Sequence, residues 1–178
     1  MIELERVSEV LRLEGPHVGK PVLELLLGEG SVYNSADDLV KEVYLSPGIG
    51  SHVLVKGEAT TQVGMGEIVK NLYQLGFFIE MESRGDRRLV SWFNAVRCWI
   101  VDFVDEGLTD YNQLRKSDSI RINVGRIEDI EMALPFLNSQ YDDLDCGTYM
   151  KLLTKDQDLF FKSFNLVKRF RGMRLFSA

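Results

Sequence analysis

The chain has 178 residues, 45% of them hydrophobic and 27% charged, which is the composition of one soluble globular domain large enough to bury a core. A net charge of −6 and an isoelectric point near 5.0 argue against a broad phosphate-binding surface, and so against nucleic acid as a partner. No run approaches the roughly 18 apolar residues of a membrane span, and "MIELERVSEVLRL" is charged where a signal peptide is apolar, so a cytoplasmic protein is expected.

Strand-like and helix-like segments alternate. Residues 7–13 and 21–27 read as strands joined by a turn containing Gly15, Pro16 and Gly19. "SADDLVKEVYL" reads as a helix capped by Ser35, with Asp37 and Asp38 suited to its N-terminal dipole. "HVLVK" (52–56) is a buried strand. "MGEIVKNLYQLG" (65–76) places Ile68, Leu72 and Leu75 at helical spacing and stops at Gly76. "FFIEME" (77–82) is a strand, "RRLVSWFNA" (87–95) a short helix and "VRCWIVDFV" (96–104) a buried strand. A short helix capped by Thr109 is expected next, followed by a strand at 119–125. A helix should follow over "IEDIEMALPFLNSQ", kinked or shortened by Pro135. A strand at 149–153 and a helix at 155–170 close the chain, with Phe160, Phe161, Phe164 and Val167 of the helix packed partly inward.

This order predicts a single α/β domain with a mostly parallel sheet and crossover helices, too short for a closed eight-fold barrel. Ligands of such sheets bind beyond the C-terminal strand ends. The tips here are Gly28-Glu29-Gly30, Lys56-Gly57-Glu58, Glu82 to Gly85, Asp102 to Glu106, and Gly125-Arg126. Such tips suit a small polar ligand, although glycines and charges are also ordinary turn residues. Cys98 and Cys146 have no CxxC or Cys/His spacing, which excludes a local zinc or iron–sulfur motif, and Cys98 reads as a buried structural thiol. Tyr33, Tyr141, Tyr149, Trp92 and Phe93 are candidates for a protein-binding surface. The acidic "SQYDDLDCG" (139–147) reads as a solvated turn, lacking the calcium-loop pattern.

In its order of segments the chain resembles the radical-SAM enzyme 7-carboxy-7-deazaguanine synthase. The stretches that carry the resemblance are "VSEVLRLEGPHVGKPVLELLLG" (7–28), "HVLVKGEATTQVGMGEIVKNLYQLGFFIEMESRG" (52–85) and "SDSIRINVGRIEDIEMALPFL" (117–137). The resemblance implies an incomplete radical-SAM-like (βα) barrel. It also implies a Gly-Gly-Glu strand end and an ETNG strand that hold S-adenosylmethionine, matched here by Gly57, Glu58, Glu82 and Ser83. Glu14, in the shortened early turn, and Arg121, where the family often has lysine, stand at substrate-side positions. Phe103-Val104-Asp105 replaces a Ser-Pro-Lys segment. The family holds a four-iron cluster through a CxxxCxxC loop after the second strand. Here that stretch is "GEGSVYNSADD", shortened and without cysteine or histidine, so no cluster and no metal are expected.

Three readings follow. The first is a degenerate, non-catalytic member that binds a protein partner or regulates one, with a homodimer left open. The second is a residual binder of S-adenosylmethionine or a purine-like nucleotide. The third is a cluster-free enzyme with Glu58 and Glu82 as paired carboxylates.

Overall fold

The computed structural model describes residues 2–33, 35–45, 51–57 and 59–177. Its strands are β1 (Ile2–Leu11), β2 (Pro21–Tyr33), β3 (His52–Lys56), β4 (Phe78–Arg84), β5 (Cys98–Asp102), β6 (Ser119–Val124), β7 (Gly147–Leu152) and β8 (Arg174–Ser177). Four helices accompany them, α1 (Ala36–Leu45), α2 (Met65–Gln74), α3 (Ile127–Gln140) and α4 (Gln157–Val167). Hydrogen-bonded strand order is chain order, β1 to β8. β1 and β2 are antiparallel, whereas β2–β3, β3–β4, β5–β6, β6–β7 and β7–β8 are parallel. The expected α/β class and mostly parallel sheet are both present. Among the described residues no helix is long and apolar enough to cross a membrane. The chain divides into two compact units.

The first unit comprises Met1–Leu13, His17–Ser83 and Leu89–Trp99. Its hairpin closes with the Arg12 amide donating to the Lys20 carbonyl (2.9 Å) and the Gly19 amide to that of Arg12 (2.7 Å). Gly19 supplies the positive φ of 84° that this turn requires. β2 does not end at Leu27. It bulges opposite Leu4, which pairs with both Leu27 and Ser31, and continues until Tyr33 faces Ile2. The stretch expected to be a loop is therefore strand. Burial of Ile2 and Leu4 supplies the driving force, since both are at most 2% exposed. Gly30 lies so close to the Leu4 carbonyl that a Cβ there would collide with backbone.

Helix α1 is capped as expected. The Asp38 amide donates to Ser35 Oγ (3.1 Å), and that hydroxyl donates back to the Asp38 carboxylate (2.8 Å). Helix α2 buries Met65, Ile68, Val69 and Leu72 and ends at Gly76 (φ 87°). The helix expected at 87–95 is absent, and only a 3₁₀ turn, Phe93–Ala95, forms there. Aromatic packing accounts for the difference. Phe93 stacks on Trp99 with centroids 5.4 Å apart, and the Trp99 indole donates to the Phe93 carbonyl (3.1 Å). Trp92 fills the space over Gly66, where a Cβ would come within 2.5 Å of its ring.

The second unit comprises Glu14–Pro16, Arg84–Arg88 and Ile100–Ala178. Ile122, Val124, Met150 and Leu152 point one way from β6 and β7, into a core closed by Ile130, Ala133 and Leu137 of α3 and Leu159 and Leu166 of α4. Strand alternation then sends Arg121, Tyr149 and Lys151 to the opposite face. Helix α3 is not shortened by Pro135 and continues to Gln140, so the missing N–H leaves only the Glu131 carbonyl to be satisfied otherwise. Asp110, rather than Thr109, caps the 3₁₀ turn Tyr111–Gln113, while Thr109 Oγ donates to the Arg87 carbonyl. β8 has no counterpart in the sequence expectation. Helix α4 also differs: Phe160 and Phe164 are 39% exposed and Phe161 60%, while Leu159, Ser163, Leu166 and Val167 take the buried side. Of the tyrosines expected at a binding surface, Tyr149 is buried, and Tyr141 packs on Phe170 and donates to the Arg171 carbonyl (2.8 Å).

Candidate functional site

In the first unit, Val53, Val55, Ile79 and Met81 are fully buried, and alternation turns His52, Glu80 and Glu82 to the other face of β3 and β4. Glu80 is the centre of that face and is 0% exposed. One of its oxygens, Oε1, accepts from Arg12 Nε (2.8 Å) and pairs with Arg12 Nη2 (2.7 Å). The other, Oε2, lies 2.8 Å from His17 Nδ1 and 3.2 Å from His52 Nε2. Arg12 Nη2 also reaches Glu82 Oε1 at 3.1 Å. Burial raises the Glu80 carboxyl, but the His52 hydrogen bond, the Arg12 guanidinium and His17 outweigh it and hold its pKa below the ordinary value. Cys98, at the start of β5, brings its sulfur into the same space. Donor atoms of His17, Glu80 and Cys98 all lie within 4.8 Å of one another.

A second ion pair lies in the same unit. Glu24 of β2 binds Lys56 Nζ (2.7 Å) and Arg6 (2.9 Å). Burial raises the Glu24 carboxyl, yet the bonds from Lys56 and Arg6 leave its pKa lowered. A depressed carboxyl stabilises the fold above its unfolded pKa, about 4.3 for Glu, and that contribution disappears as pH falls through the folded value. Glu24→Gln is therefore expected to flatten the acid limb of the urea-midpoint-against-pH curve below about pH 4.3, with wild type losing more stability than the variant over that range.

The residues expected to hold S-adenosylmethionine are distributed as follows. Gly57 follows β3 with φ 93°, and a Cβ there would come within 2.6 Å of the Leu27 carbonyl, so only glycine fits. Glu82 and Ser83 lie near the end of β4, with the Glu82 side chain 11% exposed and engaged by Arg12. Glu58 lies outside the described residues, and the proposed Glu58–Glu82 pair with it. Lys56, the neighbour that departs from the family's double glycine, is taken up by Glu24.

In the second unit the two substrate-side candidates meet each other. Arg121 Nη1 binds Glu14 Oε1 at 2.8 Å, while its Nε binds Asp102 Oδ1 at 2.6 Å. Lys151 Nζ holds the other Glu14 oxygen at 2.8 Å. Beyond β5, Phe103-Val104-Asp105 lines a cleft of about 400 Å³ together with Tyr111 and Phe136. Glu106, on the same rim, takes a left-handed backbone (φ 55°).

The comparisons bear on the scaffold. Among solved structures, QueE from Escherichia coli superimposes with a TM-score of 0.76 over 99% of this chain and 93% of that chain, at 16% identity. The fold is QueE-like. QueE is 7-carboxy-7-deazaguanine synthase, so the resemblance read from the ordered segments is borne out at the level of the fold. No protein-family model and no curated protein matches the chain.

Sequence reasoning did not find the cluster around Glu80. His17, His52, Glu80 and Cys98 come from four separate segments, with His17 and Glu80 63 positions apart. Only the strand pairing brings them together.

Proposed function

We propose that this chain is a non-catalytic radical-SAM-like scaffold that acts by binding a protein partner, as a regulatory factor. The observation that carries the reading is the course of β2. Where the QueE-like scaffold is expected to place a cysteine loop after its second strand, residues 28–33 continue β2 against β1, and α1 begins at Ala36. Neither that extension nor the two residues after it include cysteine or histidine. The chain has two cysteines, and they lie in different units. This donor set does not fit a four-iron cluster bound through three thiolates, so no step through such a cluster is derived.

The ion pairs support the same reading. Glu14 and Arg121, the groups placed to meet substrate, bind each other, and Glu82 is held by Arg12. A charged ligand would have to break these pairs and desolvate both partners. On the surface, Phe160, Phe161 and Phe164 form an exposed aromatic patch on α4, with Lys168 Nζ 4.1 Å from the Phe164 ring centroid. Aromatic residues are enriched in interface hot spots, and this patch is the surface assigned to the partner.

A second reading, a small-molecule binder, has one observation in its favour. The cleft beside Phe103 is lined by aromatic rings and by Asp105, Glu106 and Asp110. Calorimetric titration with S-adenosylmethionine and a panel of purine nucleotides separates the two. No heat with any of them is the expected result. Micromolar binding that disappears in Asp105→Ala would establish the small-molecule reading instead.

A further inference from the structure

We propose that His17, His52, Glu80 and Cys98 form a binding site for one divalent transition metal, zinc being the best chemical match. Three of the donors, His17 Nδ1, a Glu80 oxygen and Cys98 Sγ, already lie within 4.8 Å of one another. The fourth, His52 Nε2, aims at the same Glu80 oxygen as His17 Nδ1, at 3.2 Å against 2.8 Å. The two imidazole rings meet edge to face with centroids 5.1 Å apart, and each turns a ring nitrogen toward Glu80 Oε2. One sulfur, one imidazole nitrogen and one carboxylate oxygen make a mixed set of three, with His52 beside it as the candidate for the fourth position, and this set suits zinc better than the all-oxygen shells of magnesium or calcium.

The surroundings complete the case. Arg12 binds Glu80 through Oε1 and fixes the plane of the carboxylate, while Oε2 is hydrogen-bonded to both imidazoles, bonds that an entering ion would replace. Glu80 and Cys98 are fully buried, and the side chains of His17 and His52 are 18% and 12% exposed. The site thus lies just beneath the surface, with its two imidazoles on the side open to water. Charges also balance. A divalent ion is neutralised by the Glu80 carboxylate and the Cys98 thiolate, and Glu82 balances Arg12. Binding would release the Cys98 thiol proton, together with the protons of any imidazolium present. A bound ion would tie the β1–β2 turn to β3, β4 and β5, all through residues of the first unit, and so act as a structural staple.

Cobalt(II) titration of the full-length chain, freed of metal by dialysis against a chelator, tests the site. About one cobalt per chain is expected, with a near-ultraviolet thiolate-to-cobalt charge-transfer band that zinc abolishes by displacement. The band should be lost in Cys98→Ala and retained in Cys146→Ser. In His17→Ala, a change at a partly exposed turn, the affinity should fall roughly 100-fold or more. Far-UV circular dichroism verifies that each variant is folded. Absence of the band in wild type overturns the proposal, as does a band that survives Cys98→Ala or vanishes in Cys146→Ser. Should Cys98→Ala fail to fold, His17→Ala decides alone, and unchanged cobalt affinity there overturns the site.

Discussion

Replacing Arg12 by Met is expected to destabilise the chain by about 3–5 kcal/mol, measured by urea unfolding with chelator present in both samples. Arg12 is 2% exposed, and its guanidinium sits against two carboxylates, one of them wholly buried. Removing it leaves the Glu80 charge in a low-dielectric space with only the two imidazoles to answer it. The variant can reduce this penalty by protonating Glu80, so its stability should fall more steeply with rising pH than that of wild type. Replacing Glu80 by Gln in the Arg12→Met background should recover a large part of the loss, because the carboxylate is then no longer buried without its counter-ion. Additive losses in the double variant would mean that Arg12 stabilises the fold by packing alone.

The second large effect is expected at Arg121. Arg121→Met should cost about 3 kcal/mol, since Glu14 and Asp102 both lose a charged partner in a site where the Arg121 side chain is only 9% exposed. Lys151 still holds Glu14, so this loss should be smaller than that at Arg12. Glu14→Gln in the same background should restore stability in part, and the coupling read from the double-mutant cycle should be clearly non-zero. The functional account rests on the same bonds. If Glu14 and Arg121 are structural partners, breaking them changes stability. If they are kept apart in solution and await substrate, the cycle will show no coupling.

Much of the fold was legible because local signals and tertiary packing agree. "HVLVK" is an uninterrupted apolar run, and its three central residues are completely buried in β3. Ser35 and Gly76 mark helix ends by chemistry that operates within a single turn. The misreadings occur where distant residues decide. "GEGSVY" has the glycines of a loop, yet Ile2 and Leu4 draw it into pairing with β1, and glycine is needed at position 30 for close approach rather than for a turn. "RRLVSWFNA" has apolar residues compatible with a helix, but Trp92 and Phe93 are committed to Gly66 and Trp99.

Helix α4 shows a different failure. Hydrophobicity predicts Phe160, Phe161, Phe164 and Val167 packed partly inward; of these Val167 joins the buried stripe, with Leu159, Ser163 and Leu166. A sequence with apolar residues on both sides of a helix does not say which side meets the core. The ligand tips were partly legible. Glu14 and Arg121 were singled out separately, but nothing in their spacing indicates that they bind each other. His17 and His52 belong to no local motif, and a cluster assembled across four segments leaves no trace in spacing.

The proposed function has this QueE-like fold carry out no cluster chemistry. The most direct test is anaerobic reconstitution of the full-length chain with iron and sulfide, followed by reduction in the presence of S-adenosylmethionine. Electron paramagnetic resonance then reports any four-iron cluster, and chromatography reports 5′-deoxyadenosine. No cluster signal and no cleavage product are expected, with any bound iron present as single ions that Cys98→Ala removes. A four-iron signal accompanied by 5′-deoxyadenosine would contradict the proposed function.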